Sequence, residues 1–145
     1  MSDYADLMGR EIVTTRVVPH SATRVFRAFT DPAQLARWWG PEGFTNTFDV
    51  CEPRPGGLWR FTMHGPDGRN YPNESRFVEL SPTRIVIEHT SEPHFTLTVL
   101  LEDWGGQTKI TWRQLFDTPA IRDAVGTFAS PANEENLARL EAVLG

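Results

Sequence analysis

Apolar and polar residues alternate with a period of two along much of the chain. In HFTLTVLLE, Phe95, Leu97, Val99 and Leu101 share one face while Thr96 and Thr98 share the other. Trp59, Phe61 and Met63 alternate with Arg60 and Thr62. Ile110, Trp112, Gln114 and Phe116 alternate with Thr111, Arg113 and Leu115. With the β-branched run EIVTTRVV, this pattern predicts strands over 11–18, 46–52, 57–64, 71–80, 84–90, 94–103 and 107–116. Between the later strands lie Pro53-Arg54-Pro55-Gly56-Gly57, Gly65-Pro66-Asp67-Gly68, Ser81-Pro82, Ser91-Glu92-Pro93 and Gly105-Gly106, all of them turn chemistry. Such short connections predict antiparallel neighbours.

Helical spacing replaces alternation in three places. Ser21 can cap a helix from Ala22 to Thr30, with Val25, Phe26 and Phe29 on one side. Asp31 can cap the next, with Pro32 at its first position and Gln34 completing a capping box. Near the C-terminus, Ile121, Val125 and Phe128 give one apolar stripe and Leu137, Leu140 and Leu144 another. Thr118-Pro119 and Ser130-Pro131 each resemble a cap followed by proline, so a break or kink is expected at Pro131. The fold class is α+β: about seven antiparallel strands, curved around a long C-terminal helix, with two short helices after the first strand. The second short helix ends in Trp38-Trp39-Gly40-Pro41. Trp38 continues the Leu35 face, so Trp39 is expected to face the space between sheet and terminal helix.

The 145 residues fit one domain, 1–145. The single cysteine, Cys51, leaves no internal disulfide framework and suits a cytoplasmic setting. The start MSDYADLMGREIV carries no apolar run of leader type, and no stretch reaches the ~20 apolar residues of a membrane span. With a net charge of −5 and no Lys/Arg cluster, nucleic acid is not an expected partner. The four histidines, His20, His64, His89 and His94, show no metal-ligand spacing, so no metal and no cofactor are expected. No GxSxG motif is present and Cys51 has no evident base, so no catalytic residue is assigned.

RVFRAFTDPAQLARWWGPEGF, PRPGGLWRFTMHGPDG, LSPTRIV and NEENLARLEAVL together resemble the START-like (SRPBCC) superfamily. The branch they resemble is the one related to the activator of heat-shock-protein-90 ATPase. The resemblance covers about Arg16 to Leu144 and implies a helix-grip fold with a cavity between sheet and C-terminal helix. In many relatives such a cavity binds an apolar or aromatic small molecule. Phe128-Ala129-Ser130-Pro131 departs from the family pattern and bears on the shape of the mouth.

By face and position the candidate ligand-binding residues are Trp39, Phe44, Trp59, Phe61, Met63, Tyr71, His89, Phe95, Leu97, Trp112, Gln114 and Phe128. Their aromatic stripes alone favour a filled core; the resemblance moves the expectation to a lined cavity. Glu74 and Arg76 share a parity and read as a solvated edge pair. The leading expectation is non-catalytic binding of a hydrophobic small molecule. One alternative is a cyclase or dehydratase using His89, His64 or Tyr71 as acid/base, which needs two titratable groups converging on one empty volume. Another is a stress- or chaperone-related interaction protein, or a homodimer, through an apolar patch such as that at Trp104. The chaperone role is the weaker inheritance, since the co-chaperone relatives carry an additional N-terminal domain that this chain has no room for.

Overall fold

The computed structural model describes residues 9–145; residues 1–8, which the single-domain and leader-free readings include, lie outside the described residues. The elements in order are β1 (Glu11–Val18), α1 (Ala22–Thr30), α2 (Pro32–Trp38), β2 (Thr45–Cys51), β3 (Leu58–His64), β4 (Asn70–Ser81), β5 (Arg84–His89), β6 (Phe95–Trp104), β7 (Gln107–Phe116) and α3 (Pro119–Leu144). The strands form one antiparallel sheet in the order β1-β7-β6-β5-β4-β3-β2. This is the helix-grip arrangement: a seven-stranded open sheet with a long C-terminal helix on its apolar face. No helix among the described residues is long and apolar enough to cross a membrane.

Local chemistry explains the helix starts. The Ser21 side chain accepts from Arg24 N, and the Asp31 carboxylate accepts both from Ala33 N and from Gln34 Nε2 at 2.9 Å, so the expected Asp31–Gln34 pair forms between side chains while the Asp31 N–H goes to Arg27 O. The hydrogen bond from Gln34 is the main cause that lowers the Asp31 pKa. Thr118 Oγ1 accepts from Ile121 N ahead of α3.

Two features depart from the sequence reading. The first is that α3 is a single helix of 26 residues with Pro131 inside it, so the expected break does not occur. Proline removes the bond to the Thr127 carbonyl, a loss worth ~3 kcal/mol. Contacts from Asn133, Asn136 and Arg139 to β7 and to the segment after α2 hold the following turns in line. The second is that β4 shifts register between Phe77 and Glu79. This bulge leaves Val78 and Glu79 both outward and returns Leu80 to the core side. Before the bulge, Ser75 and Phe77 point inward while Glu74 and Arg76 point outward. Glu74 pairs across the strands with Arg60 at 3.3 Å on the exposed face, not with Arg76.

The core fills one end of the space between sheet and helices. Trp38 is fully buried, donates Nε1 to the Ala28 carbonyl at 2.9 Å and meets Phe29 edge-on at 4.8 Å. Trp59 stacks on Phe61 at 4.3 Å and on Phe77 at 5.6 Å. Leu137, Leu140 and Leu144 bring the C-terminal half of α3 into the same cluster. The middle of α3 presents Ala129, Ala132, Asn133 and Asn136 instead. The two alanines are too short to reach the strands and only Asn133 bonds across to β7, so a space remains beside them.

Candidate functional site: two adjoining chambers between sheet and helix

The remaining space is an inner chamber of about 200 Å³. Trp112 and Gln114 of β7, Phe95 of β6 and His89 of β5 form its sheet side, and Trp39 closes one flank. Alternate residues of a strand share a face, which is why Trp112 and Gln114 arrive together. A larger volume of about 630 Å³ adjoins it, lined by Phe44, Tyr71 and the Gly65–Pro72 hairpin region among others. Pro41, Met63, Asn73, Pro93 and Phe128 line both volumes, so the two adjoin along these residues.

The segment after α2 is held in place by one side chain. The Arg139 guanidinium donates to the carbonyls of Arg37 (3.1 Å), Gly40 (2.9 Å), Pro41 (2.8 Å) and Phe44 (2.9 Å), with a longer contact to Trp39 O. Burial lowers the pKa of this arginine from its ordinary value. Gly40 adopts φ +101°, and a Cβ there would lie 2.8 Å from Met63 Cε. This is why a Trp-Trp-Gly-Pro run ends the helix. Trp38 turns into the core, while Trp39 turns toward the chamber, 5.6 Å from Trp112 and 4.9 Å from Trp59.

Polar groups are few in the inner chamber. His89 stacks on Phe95 at 4.6 Å. Its Nδ1 meets the Pro93 carbonyl at 2.8 Å, so that nitrogen carries a proton. Its Nε2 pairs with the Asn73 carboxamide at 2.6 Å and lies 3.3 Å from Ser91 Oγ. Burial lowers the His89 pKa, while the bond to Pro93 acts the other way. The Ser91 hydroxyl also accepts from Glu74 N at 3.0 Å, which ties it into the turn. Gln114 Oε1 accepts from Asn133 Nδ2 at 3.0 Å, and Asn136 Nδ2 donates to Trp38 O at 2.9 Å.

Of the residues singled out in the sequence, Trp39, Met63, His89, Phe95, Trp112, Gln114 and Phe128 line the inner chamber. Phe44 and Tyr71 line the outer one. Trp59, Phe61 and Leu97 line neither; they are fully buried where the sheet packs on α1, α2 and the leucine half of α3. Phe128 is 65% exposed and stands at the mouth, not on the buried stripe assigned to it. His64 lies on the other face of β3, between Thr47 Oγ1 and Asn70 Oδ1 at 2.7 Å each. Asn73, Asn133 and Asn136 are the polar lining residues that the sequence reading missed. The last two could have been found from their place on the stripe that Leu137 and Leu140 continue. His94 is clamped between Glu88 at 2.8 Å and Asp117 at 2.7 Å. Trp104 is exposed in its hairpin, with the Lys109 ammonium 5.2 Å from its ring centre.

Comparison with known proteins agrees with this architecture. The family model described as "Activator of Hsp90 ATPase homolog 1-like protein" matches residues 19–145. A solved protein from Rhodobacter sphaeroides is 28% identical, covering 94% of this chain and 92% of its own, with a TM-score of 0.82. Two others share the fold. One from Arthrobacter aurescens is 24% identical, with 94% and 86% of the chains covered and a TM-score of 0.87. One from Nitrosomonas europaea is 21% identical, with 94% of both chains covered and a TM-score of 0.84. No curated protein matches the chain. The chain belongs to the family of activator of Hsp90 ATPase homologue 1-like proteins, a START-type fold.

Proposed function

We propose that this member of the family binds a small apolar molecule in the joined chambers between sheet and C-terminal helix, without covalent chemistry of its own. The observation that carries the reading is the inner chamber of about 200 Å³, walled by Trp39, Phe95, Trp112 and Val125 and adjoining a wider volume. A single water takes roughly 30 Å³ of liquid volume and an engineered apolar cavity of ~150 Å³ admits benzene, so the space is of ligand size. Apolar walls with a few convergent polar groups are the usual make-up of a small-molecule site.

Acid/base catalysis has less support. It needs two titratable groups converging on one volume. Among the described residues lining the inner chamber only His89 titrates near neutral pH, and both its ring nitrogens are engaged. The single half-buried cysteine keeps a reducing, cytoplasmic setting part of this proposal.

Two measurements test the reading. Native mass spectrometry of protein from its own source is expected to show a retained small molecule. Titration with an apolar fluorescent dye is expected to give saturable binding that quenches the tryptophans. Absence of both would end it.

A further inference from the structure

Across the inner chamber β7 and α3 meet through two carboxamides joined by one hydrogen bond, from Asn133 Nδ2 to Gln114 Oε1 at 3.0 Å. Both residues are more than nine-tenths buried, at 8% exposure each, and both line the chamber. That single bond leaves Gln114 Nε2 as a donor and Asn133 Oδ1 as an acceptor; neither is hydrogen-bonded to another described residue, and both are open to water entering the chamber. A ligand that displaces that water without replacing its hydrogen bonds loses ~1–3 kcal/mol, so the pair favours a ligand that supplies one acceptor and one donor side by side.

Charge narrows the class further. Among the described residues no Lys or Arg lines either chamber, and the outer one carries Glu92 and Asp67, the latter 3.7 Å from Arg69. An anion would pass carboxylates and then lose its water with no cation to meet it. Volume sets the size: about 200 Å³ takes one aromatic ring, since ~150 Å³ suffices for benzene.

Resting on the binding reading above, we propose that the inner chamber takes a neutral, single-ring aromatic whose polar substituent both donates and accepts. A phenol hydroxyl or a primary carboxamide is such a group, bridging Gln114 and Asn133. The substituent lies against the amide pair and the ring lies among Trp39, Trp112 and Phe95.

The test is calorimetric titration of the full chain with p-cresol, toluene, 4-methylanisole and benzoate at pH 7. The expected result is that p-cresol binds about tenfold more tightly than toluene and 4-methylanisole, the worth of one satisfied hydrogen bond, while benzoate does not bind measurably. Gln114→Met, close in shape but without the amide, is expected to bring p-cresol down to toluene. The ranking on the natural chain decides the matter even if that variant folds poorly. Equal affinity for p-cresol and toluene, tighter benzoate, or a preference for p-cresol that survives Gln114→Met would each overturn the proposal. Binding of the apolar dye without any one-ring probe would overturn it too, and would leave the broader binding reading intact. Loss of dye binding as well would remove both.

Discussion

Replacing Ala132 by leucine should close the inner chamber from the helix side. Ala132 is a half-buried residue in the chamber wall, near the middle of α3 and ahead of its leucines. Leucine adds three carbons, each worth ~0.8 kcal/mol if fully buried, so the ceiling is near 2.4 kcal/mol. Lost rotamer freedom takes back about 0.5–1 kcal/mol. The walls are already partly shielded from water, which trims the gain further. The expected net is a stabilisation of about 1 kcal/mol, in the range found when natural cavities are filled. For a chain of this length that raises Tm by ~2–4 °C. The chamber starts at about 200 Å³ and an engineered site of ~150 Å³ admits benzene, so little volume separates a usable site from a closed one. One-ring ligands are therefore expected to lose at least tenfold in affinity. Thermal unfolding and titration with p-cresol or an apolar dye, on the same preparations, read both effects. A higher Tm with unchanged affinity would place the ligand elsewhere. A lower Tm would mean that the wall cannot accept the side chain and that the void is smaller than described.

Arg139→Ala should lower stability by ~3 kcal/mol, about two charge-assisted hydrogen bonds' worth, or roughly 6–12 °C in Tm, and weaken dye binding because Trp39 and Phe44 lose their anchor. Arg139→Lys is expected to recover less than half of this, since an ammonium cannot span the carbonyls that the planar fork reaches, and full recovery would refute the clasp. The hydrogen bonds from Glu88 and then Asp117 raise the His94 pKa, so its contribution to stability is complete below the unfolded value of 6.5 and is lost as pH rises through the higher folded value. Tm should therefore fall across that window by more in the natural chain than in His94→Gln, and equal slopes would count against the clamp. Burial pushes the Cys51 thiol up to about 11, so alkylation by iodoacetamide at pH 7.5 should be slow in the folded chain and fast in denaturant; rapid native labelling would contradict its placement.

Much of the fold can be read from local chemistry because each cue acts over a few residues. Alternation placed the strands to within a residue or so of the observed ends, and the caps at Ser21, Asp31 and Thr118 mark the helix starts. The pair Trp38 and Trp39 divides as expected because a proline and a glycine with positive φ fix the chain between α2 and β2. The site is less legible because lining a void is a non-local property. Trp59 and Trp112 have the same strand parity and the same residue type, yet one is stacked between Phe61 and Phe77 and the other borders empty space. What separates them is their surroundings: Trp39, Phe48, Phe61 and Phe77 enclose Trp59, whereas Trp112 faces the chamber beside the alanines of α3, and neither set of neighbours is known before the fold. Pro131 misled for a similar reason. Its local cost is real, but the tertiary bonds of Asn133, Asn136 and Arg139 outweigh it.

The helix therefore divides its work along its length. Its C-terminal half places Leu137, Leu140 and Leu144 in the core, each worth ~1.5–3 kcal/mol of burial. Its middle faces a space that opens to solvent; were it closed and dry, it would cost at most about 5 kcal/mol at ~24 cal/mol per Å³ of void. Such a cost rivals the whole net stability of an ordinary domain, ~5–15 kcal/mol. A chain needing only a core would remove that cost with one or two larger side chains at Ala129 or Ala132. The chamber instead has buried amides in its wall, an arginine holding its flanking loop and a Phe128 at its mouth that contributes little to burial. A ligand present at a hundred times its Kd would return ~2.7 kcal/mol through linkage. On the proposed binding reading, an occupant at that concentration would offset about half of the void's largest cost.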